Sequence, residues 1–253
     1  MIFVTGTDTG VGKTVVTALM LWYLRQNGIH ALATKPFCSG GTGDVASLRD
    51  LQDGELTDRE INPFYFAEPL APLVAARKHR RRITKAMILD RIRALAARCD
   101  VLLVEGAGGL LAPLGEGFSA LDLIRDLAAQ TIVVAANRIG TINHTRLTLQ
   151  GLEAGIQLAE GVSKSAKLVS SPGLSEKRIS GSDKKTMQPA WRVVLNDRGP
   201  GDDSSRSNLR ILTEFIGPSE IFRVPYLGRH PLEKSSLKRN RKKIAKTLAR
   251  ILE

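Results

Sequence analysis

The chain is poor in cysteine, and Cys38 and Cys99 alone cannot make a disulfide framework. So low a count fits a reducing compartment. It also lacks long apolar runs. The longest, Val15 to Leu24, falls well short of the ~18 residues that a membrane-spanning helix requires, so no membrane partner is expected. The opening Met1-Ile2-Phe3-Val4-Thr5-Gly6 has no basic stretch ahead of its apolar residues, which is not how a secretory signal begins. These absences lead us to expect a cytoplasmic protein. There is no internal repeat, and aromatics are scarce at 5%. What is present is globular: 43% hydrophobic and 25% charged residues exclude a disordered or collagen-like chain. A chain of 253 residues can bury roughly 70–75% of its surface, so one full core needs no covalent staple.

Acidic residues are outnumbered, giving a net charge of +12. The excess is local. Residues 77–98, 161–190 and 229–253 carry +8, +4 and +7, which leaves the remainder at −7. The chain therefore reads as a mildly acidic core with basic appendages. The run Arg77-Lys78-His79-Arg80-Arg81-Arg82 has no aromatic residue among its cations, so it offers no platform for stacking single-stranded bases. We read it as a solvated loop before a helix, and nucleic acid is not an expected partner.

Short apolar segments alternate with helical periods. Ile2–Thr5, His30–Thr34, Val101–Val104, Ile132–Ala136, Trp191–Leu195 and Ile221–Val224 read as strands. Between them, 13–26, 44–51, 84–98, 120–127, 142–152 and 207–215 read as helices, and 236–252 closes the chain as a basic amphipathic helix. All-apolar strands are those of a parallel sheet covered on both faces. The expected fold is α/β, a three-layer sandwich with a mainly parallel central sheet. Residues 62–72 read as irregular. Gly161 to Pro189 is rich in Ser, Lys and Gly without a steady period, and we expect an exposed, mobile insertion within one domain spanning 1–253.

Gly6-Thr7-Asp8-Thr9-Gly10-Val11-Gly12-Lys13-Thr14 falls between the first strand and the first helix, the context that makes a phosphate-binding P-loop credible. Backbone N–H groups of such a loop converge on phosphate oxygens, the lysine reaches the terminal phosphates and the Thr14 hydroxyl is placed for Mg²⁺. The spacing departs from the strict pattern, because Thr7 stands where the first glycine belongs. Glu105 follows the strand Val101–Val104 and precedes Gly106-Ala107-Gly108-Gly109, placing a carboxylate where open α/β sheets bind ligands. Asp44 reads either as a helix cap or as a further ligand, and Lys35 is given a defined direction by Pro36.

Taken in order, the run from Phe3 to Thr14, Lys35-Pro36 with Ser39-Gly40, Asn62-Pro63-Phe64 with Phe66-Ala67-Glu68-Pro69, the Glu105–Gly109 segment and Gly140-Thr141-Ile142-Asn143-His144 resemble the dethiobiotin synthetase family. The match covers about residues 2–150 and resumes at Asn196-Asp197 and Pro225-Tyr226-Leu227. The resemblance implies a P-loop NTPase-like homodimer that uses ATP, Mg²⁺ and CO₂ to close a ureido ring on 7,8-diaminononanoate, giving dethiobiotin, ADP and phosphate in biotin synthesis. It implies catalytic roles for Lys13, Lys35 and Thr9, and a metal set of Thr14, Asp44 and Glu105. ATP would be held by Gly10, Val11, Gly12, Lys13, Thr14, Val15, Asp44, Glu105, Gly106, Ala107, Gly108, Asn196, Asp197, Pro225, Tyr226 and Leu227. Ser39 would contact the substrate, with Gly140, Thr141, Ile142 and Asn143 reaching its carboxylate across the dimer interface. Cys38 is read as a packing residue and His144 as structural. The insertion and the long basic final helix depart from the family pattern. The alternatives are another P-loop amidoligase, a partition-type ATPase that binds DNA through the basic segments, and a non-catalytic nucleotide-binding relative.

Overall fold

A computed structural model describes residues 1–169, 191–201 and 203–253. Its first half runs β1 (Ile2–Gly6), α1 (Lys13–Gln26), β2 (Ala31–Thr34), β3 (Phe37–Ser39), α2 (Gly43–Leu51), α3 (Asp58–Ile61), β4 (Phe64–Phe66), α4 (Pro72–Lys78) and α5 (Lys85–Ala96). It continues with β5 (Val101–Glu105), β6 (Pro113–Gly115), β7 (Phe118–Ser119), α6 (Ala120–Leu127), β8 (Gln130–Ala136), α7 (Thr141–Val169), β9 (Trp191–Asn196), α8 (Asp203–Ile216), β10 (Ile221–Val224) and α9 (Lys234–Leu252). Six strands form one parallel sheet in the order β10-β9-β8-β1-β5-β2. Helices pack on it from both sides. α1 lies against β1, β2, β5 and α9, whereas α5, α6, α7 and α8 pack in succession, with α5 on β5 and α7 on β8. The expected fold class is the one observed.

β1 is the hinge of the topology, flanked by β5 and β8 in register at Val4 with Glu105 and Ile132. Strand order reverses beside it, which opens a crevice at the carboxyl ends of the strands. α1, which leaves that crevice, is buried nearly all round through Val16, Thr17, Ala18, Leu19, Met20, Leu21 and Leu24. A helix apolar on every side belongs in an interior, and this one is enclosed by sheet and neighbouring helices. It ends at Gly28, whose φ of 76° turns the chain back toward β2. β2 is an edge strand, and its exposed backbone is answered from inside the protein. Buried Gln52 accepts from Ala33 N–H at 3.0 Å and donates to Ala33 C=O at 3.2 Å.

Three expectations need correction. Residues 62–72 are not wholly irregular: β4 pairs with β3 in a small parallel ribbon, and Pro72 opens α4 at the position where proline suits a helix. The basic run is not simply a solvated loop. Arg77 and Lys78 close α4, Arg77 binds Glu116 through two 2.7 Å contacts, and the Arg81 guanidinium stands 5.3 Å from the Phe66 ring centre. Third, α7 does not stop at residue 152 but continues to Val169, so the start of the expected insertion is helical. No proline interrupts 161–169, and its Lys, Ala and Leu residues favour continuation. The rest of that insertion, 170–189, lies outside the described residues.

Candidate active site

The loop between β1 and α1 wraps the sheet's carboxyl edge, and its shape is enforced by a neighbour. Gly12 has φ of 98°, and a β-carbon there would fall 2.0 Å from Asn196 Nδ2. Only glycine suits both the backbone and the space. Asn196, at the end of β9, uses that same Nδ2 to donate to Val11 C=O at 3.1 Å. The loop is thus clamped to a strand nearly two hundred residues away in sequence.

Lys13 curls back so that its Nζ donates to Asp8 C=O at 2.9 Å. Only 7% of the residue is exposed, and this burial lowers its pKa to about 8 from 10.5. The nearby charge of Lys35 pushes the same way, while Glu105, Asp8 and Asp44 offset part of the cost.

Lys35 is fixed by the residues around it. Its N–H donates to Ile61 C=O at 2.8 Å, and its C=O accepts from Asn62 Nδ2 at 2.7 Å. Its ammonium meets Glu105 Oε1 at 2.9 Å, Thr14 Oγ1 at 3.3 Å and the Asp44 carboxylate. Burial opposes the charge, but the two carboxylates hold its pKa above the ordinary lysine range. Thr14 donates to Glu105 Oε1 at 2.7 Å. Glu105 is 1% exposed, and its Oε2 has no protein partner among the described residues. Asp44 lies in the first turn of α2 but does not cap it: the cap position is Thr42, and the Asp44 carboxylate goes to Lys35.

One hydroxyl and two carboxylates therefore gather round a buried ammonium, with one buried carboxylate oxygen unanswered. An all-oxygen set of this kind suits a hard cation such as Mg²⁺, which takes one or two carboxylates and completes its shell with phosphate and water. Among the described residues no group of three His, Cys, Asp or Glu side chains gathers to hold a metal.

These side chains face a chamber of ≈ 1270 Å³. Thr9, Gly10, Gly12, Lys13, Thr14, Val15, Lys35, Ser39, Asp44, Glu105, Gly106, Ala107, Gly108, Asn196, Asp197, Pro225, Tyr226 and Leu227 all line it. That exceeds the ~300–1,000 Å³ usual for one small ligand, leaving space for a second molecule beside a nucleotide. Val11 is buried and does not line it. Gly140, Thr141, Ile142 and Asn143 do not line it either; Gly140 precedes α7 and the other three open it, where the buried Thr141 hydroxyl lacks a partner among the described residues. Cys38 also reaches the chamber wall, where its thiol donates to Gly41 C=O at 3.1 Å and burial raises its pKa.

A family model described as an AAA domain matches residues 1–165. The ATP-dependent dethiobiotin synthetase BioD of Bacillus velezensis is 37% identical over 235 residues, which is 90% of this chain and 98% of that protein. The chain belongs to the dethiobiotin synthetase family. The family enzyme of an Anaeromyxobacter species is 45% identical over 157 residues, covering 60% of this chain and 70% of its own. That of Bacillus licheniformis is 39% identical over 180 residues, covering 69% and 76%. Among solved structures, the MinD cell division protein of Aquifex aeolicus superposes with a TM-score of 0.53 at 13% identity, over 99% of this chain and 94% of that one. At that identity the likeness concerns the fold alone.

In this dethiobiotin synthetase family member, the predicted residue Asp197 is held by residues that sequence reasoning did not single out. Asp197 has both carboxylate oxygens taken: Asn137 donates to Oδ1 at 2.7 Å, and Arg223 pairs with Oδ2 at 2.7 Å. Asn208 in turn donates to Asn137 Oδ1 at 3.0 Å. The partners lie on β10, α8 and the turn after β8, so no local sequence signal joins them. Asn62, which braces Lys35, stood in a motif noticed in the sequence but without a role.

Proposed function

We propose that this chain is an ATP-dependent dethiobiotin synthetase that closes the ureido ring of dethiobiotin from 7,8-diaminononanoate, CO₂ and ATP. The observation that carries the reading is the cluster that buried Lys35 and Glu105 form with Thr14 and Asp44 beside a phosphate loop, in a chain of this family. In the reaction one substrate amine takes up CO₂ and gives a carbamate. A carbamate oxygen attacks the γ-phosphate of ATP and displaces ADP. The second amine then attacks the carbonyl of the mixed anhydride, phosphate leaves, and the ring closes. No step needs a covalent bond to the protein. What it needs is fixed positive charge where oxygen atoms carry developing negative charge.

Lys35 suits that task because its carboxylate neighbours keep it protonated at any physiological pH. Lys13, mostly protonated at neutral pH already, is held fully charged once phosphate oxygens replace the Asp8 carbonyl as its partner. Thr9 and the N–H groups of Gly10 to Val15 cradle the phosphates, with Gly106, Ala107 and Gly108 leaving room across the chamber. Asn196, Asp197 and Pro225 to Leu227 form the base end, and Ser39 faces the diamine. Thr14, Asp44 and Glu105 would hold Mg²⁺, which would supply charge neutralisation to the phosphate chain. Gly140 to Asn143 act from the second subunit of a homodimer, where the free N–H groups of a helix start meet the substrate carboxylate. Phosphate release from ATP should require both diaminononanoate and bicarbonate, with dethiobiotin formed in equal amount. Release that is indifferent to the diamine would overturn the assignment.

A further inference from the structure

Two of the cations that line the chamber are already engaged before any ligand arrives: Lys13 on a loop carbonyl, and Lys35 on two carboxylates. With Glu105 and Asp44 opposite them, the four charges cancel, yet the ligand to be received is polyanionic. Arg198 is different. It lines the same chamber, it is exposed, and among the described residues it makes no hydrogen bond or ion pair. Its Nη1 stands 3.9 Å from the point that a β-carbon on Gly10 would occupy, which sets the guanidinium directly beside the phosphate loop.

Its placement is built. The two preceding residues are anchored: Asn196 to Val11 C=O, and Asp197 through both carboxylate oxygens and through its N–H, which donates to Val224 C=O at 2.9 Å. The side chain that follows leaves an anchored strand end, in a chamber that the loop and Pro225–Leu227 also line. Arginine's planar fork of donors matches two phosphate oxygens at once, and a guanidinium with nothing to give up binds them without first breaking a protein contact.

We infer that Arg198 grips the phosphate chain of the bound nucleotide, as a binding residue additional to the loop and Lys13. This rests on the nucleotide reading above and deepens it. The test uses the full chain and calorimetric titration with ADP and, separately, with inorganic pyrophosphate, which has no base or ribose. Arg198→Ala should weaken both by about tenfold or more, as expected for loss of a charge-assisted hydrogen bond. Arg198→Lys should recover part of the loss. The unfolding midpoint without nucleotide should stay at the wild-type value, because the side chain has no partner to lose among the described residues. ADP affinity within threefold of wild type in Arg198→Ala refutes the inference. So does weakening confined to ADP, which assigns the residue to base or ribose, or a lowered midpoint that Arg198→Lys does not restore, which makes it structural. If the wild-type chain binds neither probe, the nucleotide reading itself has failed; if it binds both and the variant matches it, this inference alone falls.

Discussion

Lys13 makes nucleotide binding a proton-uptake reaction. In the free protein its pKa is about 8 against an ordinary 10.5. That difference corresponds to about 3 kcal/mol of charge penalty in the folded state. Below pH 8 both folded and unfolded chains carry the proton, and the folded chain bears the whole penalty. Between about 8 and 10.5 the folded state releases the proton while the unfolded chain keeps it, so this group makes stability rise with pH in that window. Phosphate oxygens at Nζ reverse the balance, favouring the charged form and returning the pKa above the measured range. Uptake on binding is then the fraction of Lys13 that was neutral: about 0.1 proton at pH 7, about 0.5 at pH 8 and about 0.9 at pH 9. Calorimetric titration with ADP in two buffers of different ionisation enthalpy, repeated at each pH, reads this number directly. Lys35 adds nothing, since its neighbours keep it protonated throughout. Uptake near zero at pH 9 would refute the reasoning, whatever the affinity.

Lys35→Ala should cut dethiobiotin formation more than about a hundredfold, since a fixed cation at the reacting oxygens is worth several kcal/mol; a rate within tenfold of wild type removes Lys35 from the chemistry. Glu105→Gln keeps the shape and drops the charge, so half-activation by Mg²⁺ should move to at least about tenfold higher concentration, and an unchanged titration would place the ion elsewhere. Gly12→Ala meets both a φ of 98° and Asn196 Nδ2 at 2.0 Å, and should abolish ADP binding in a chain that still folds; retained affinity would mean that the loop is more plastic than its geometry. Gln52→Leu leaves the buried Ala33 N–H and C=O without partners, and urea unfolding should report a loss of about 1–3 kcal/mol; a neutral result would show that water replaces the amide.

The parallel sheet was legible because each of its strands is short and mostly apolar, and α1 because its period begins at Gly-Lys-Thr and stops at Gly28. The phosphate loop, Lys35 and Glu105 were legible for the same reason: their signals are local, a glycine pattern or a strand end followed by turn residues. Where signals were weak the reading erred. Proline at 72 disguised the start of α4, and Ser and Lys disguised the continuation of α7. What tertiary structure alone decided are meetings between distant residues. Thr14, Lys35, Asp44 and Glu105 became one cluster, Asp44 became an ion-pair partner instead of a cap, Asn196 closed over Gly12, and Asp197 was locked by Asn137 and Arg223. Sequence periodicity records which face of an element is buried, because that depends on a residue and its near neighbours. It does not record which strand ends lie side by side. That follows from the sheet order β10-β9-β8-β1-β5-β2, and the order brings carboxyl ends from across the chain to a single crevice.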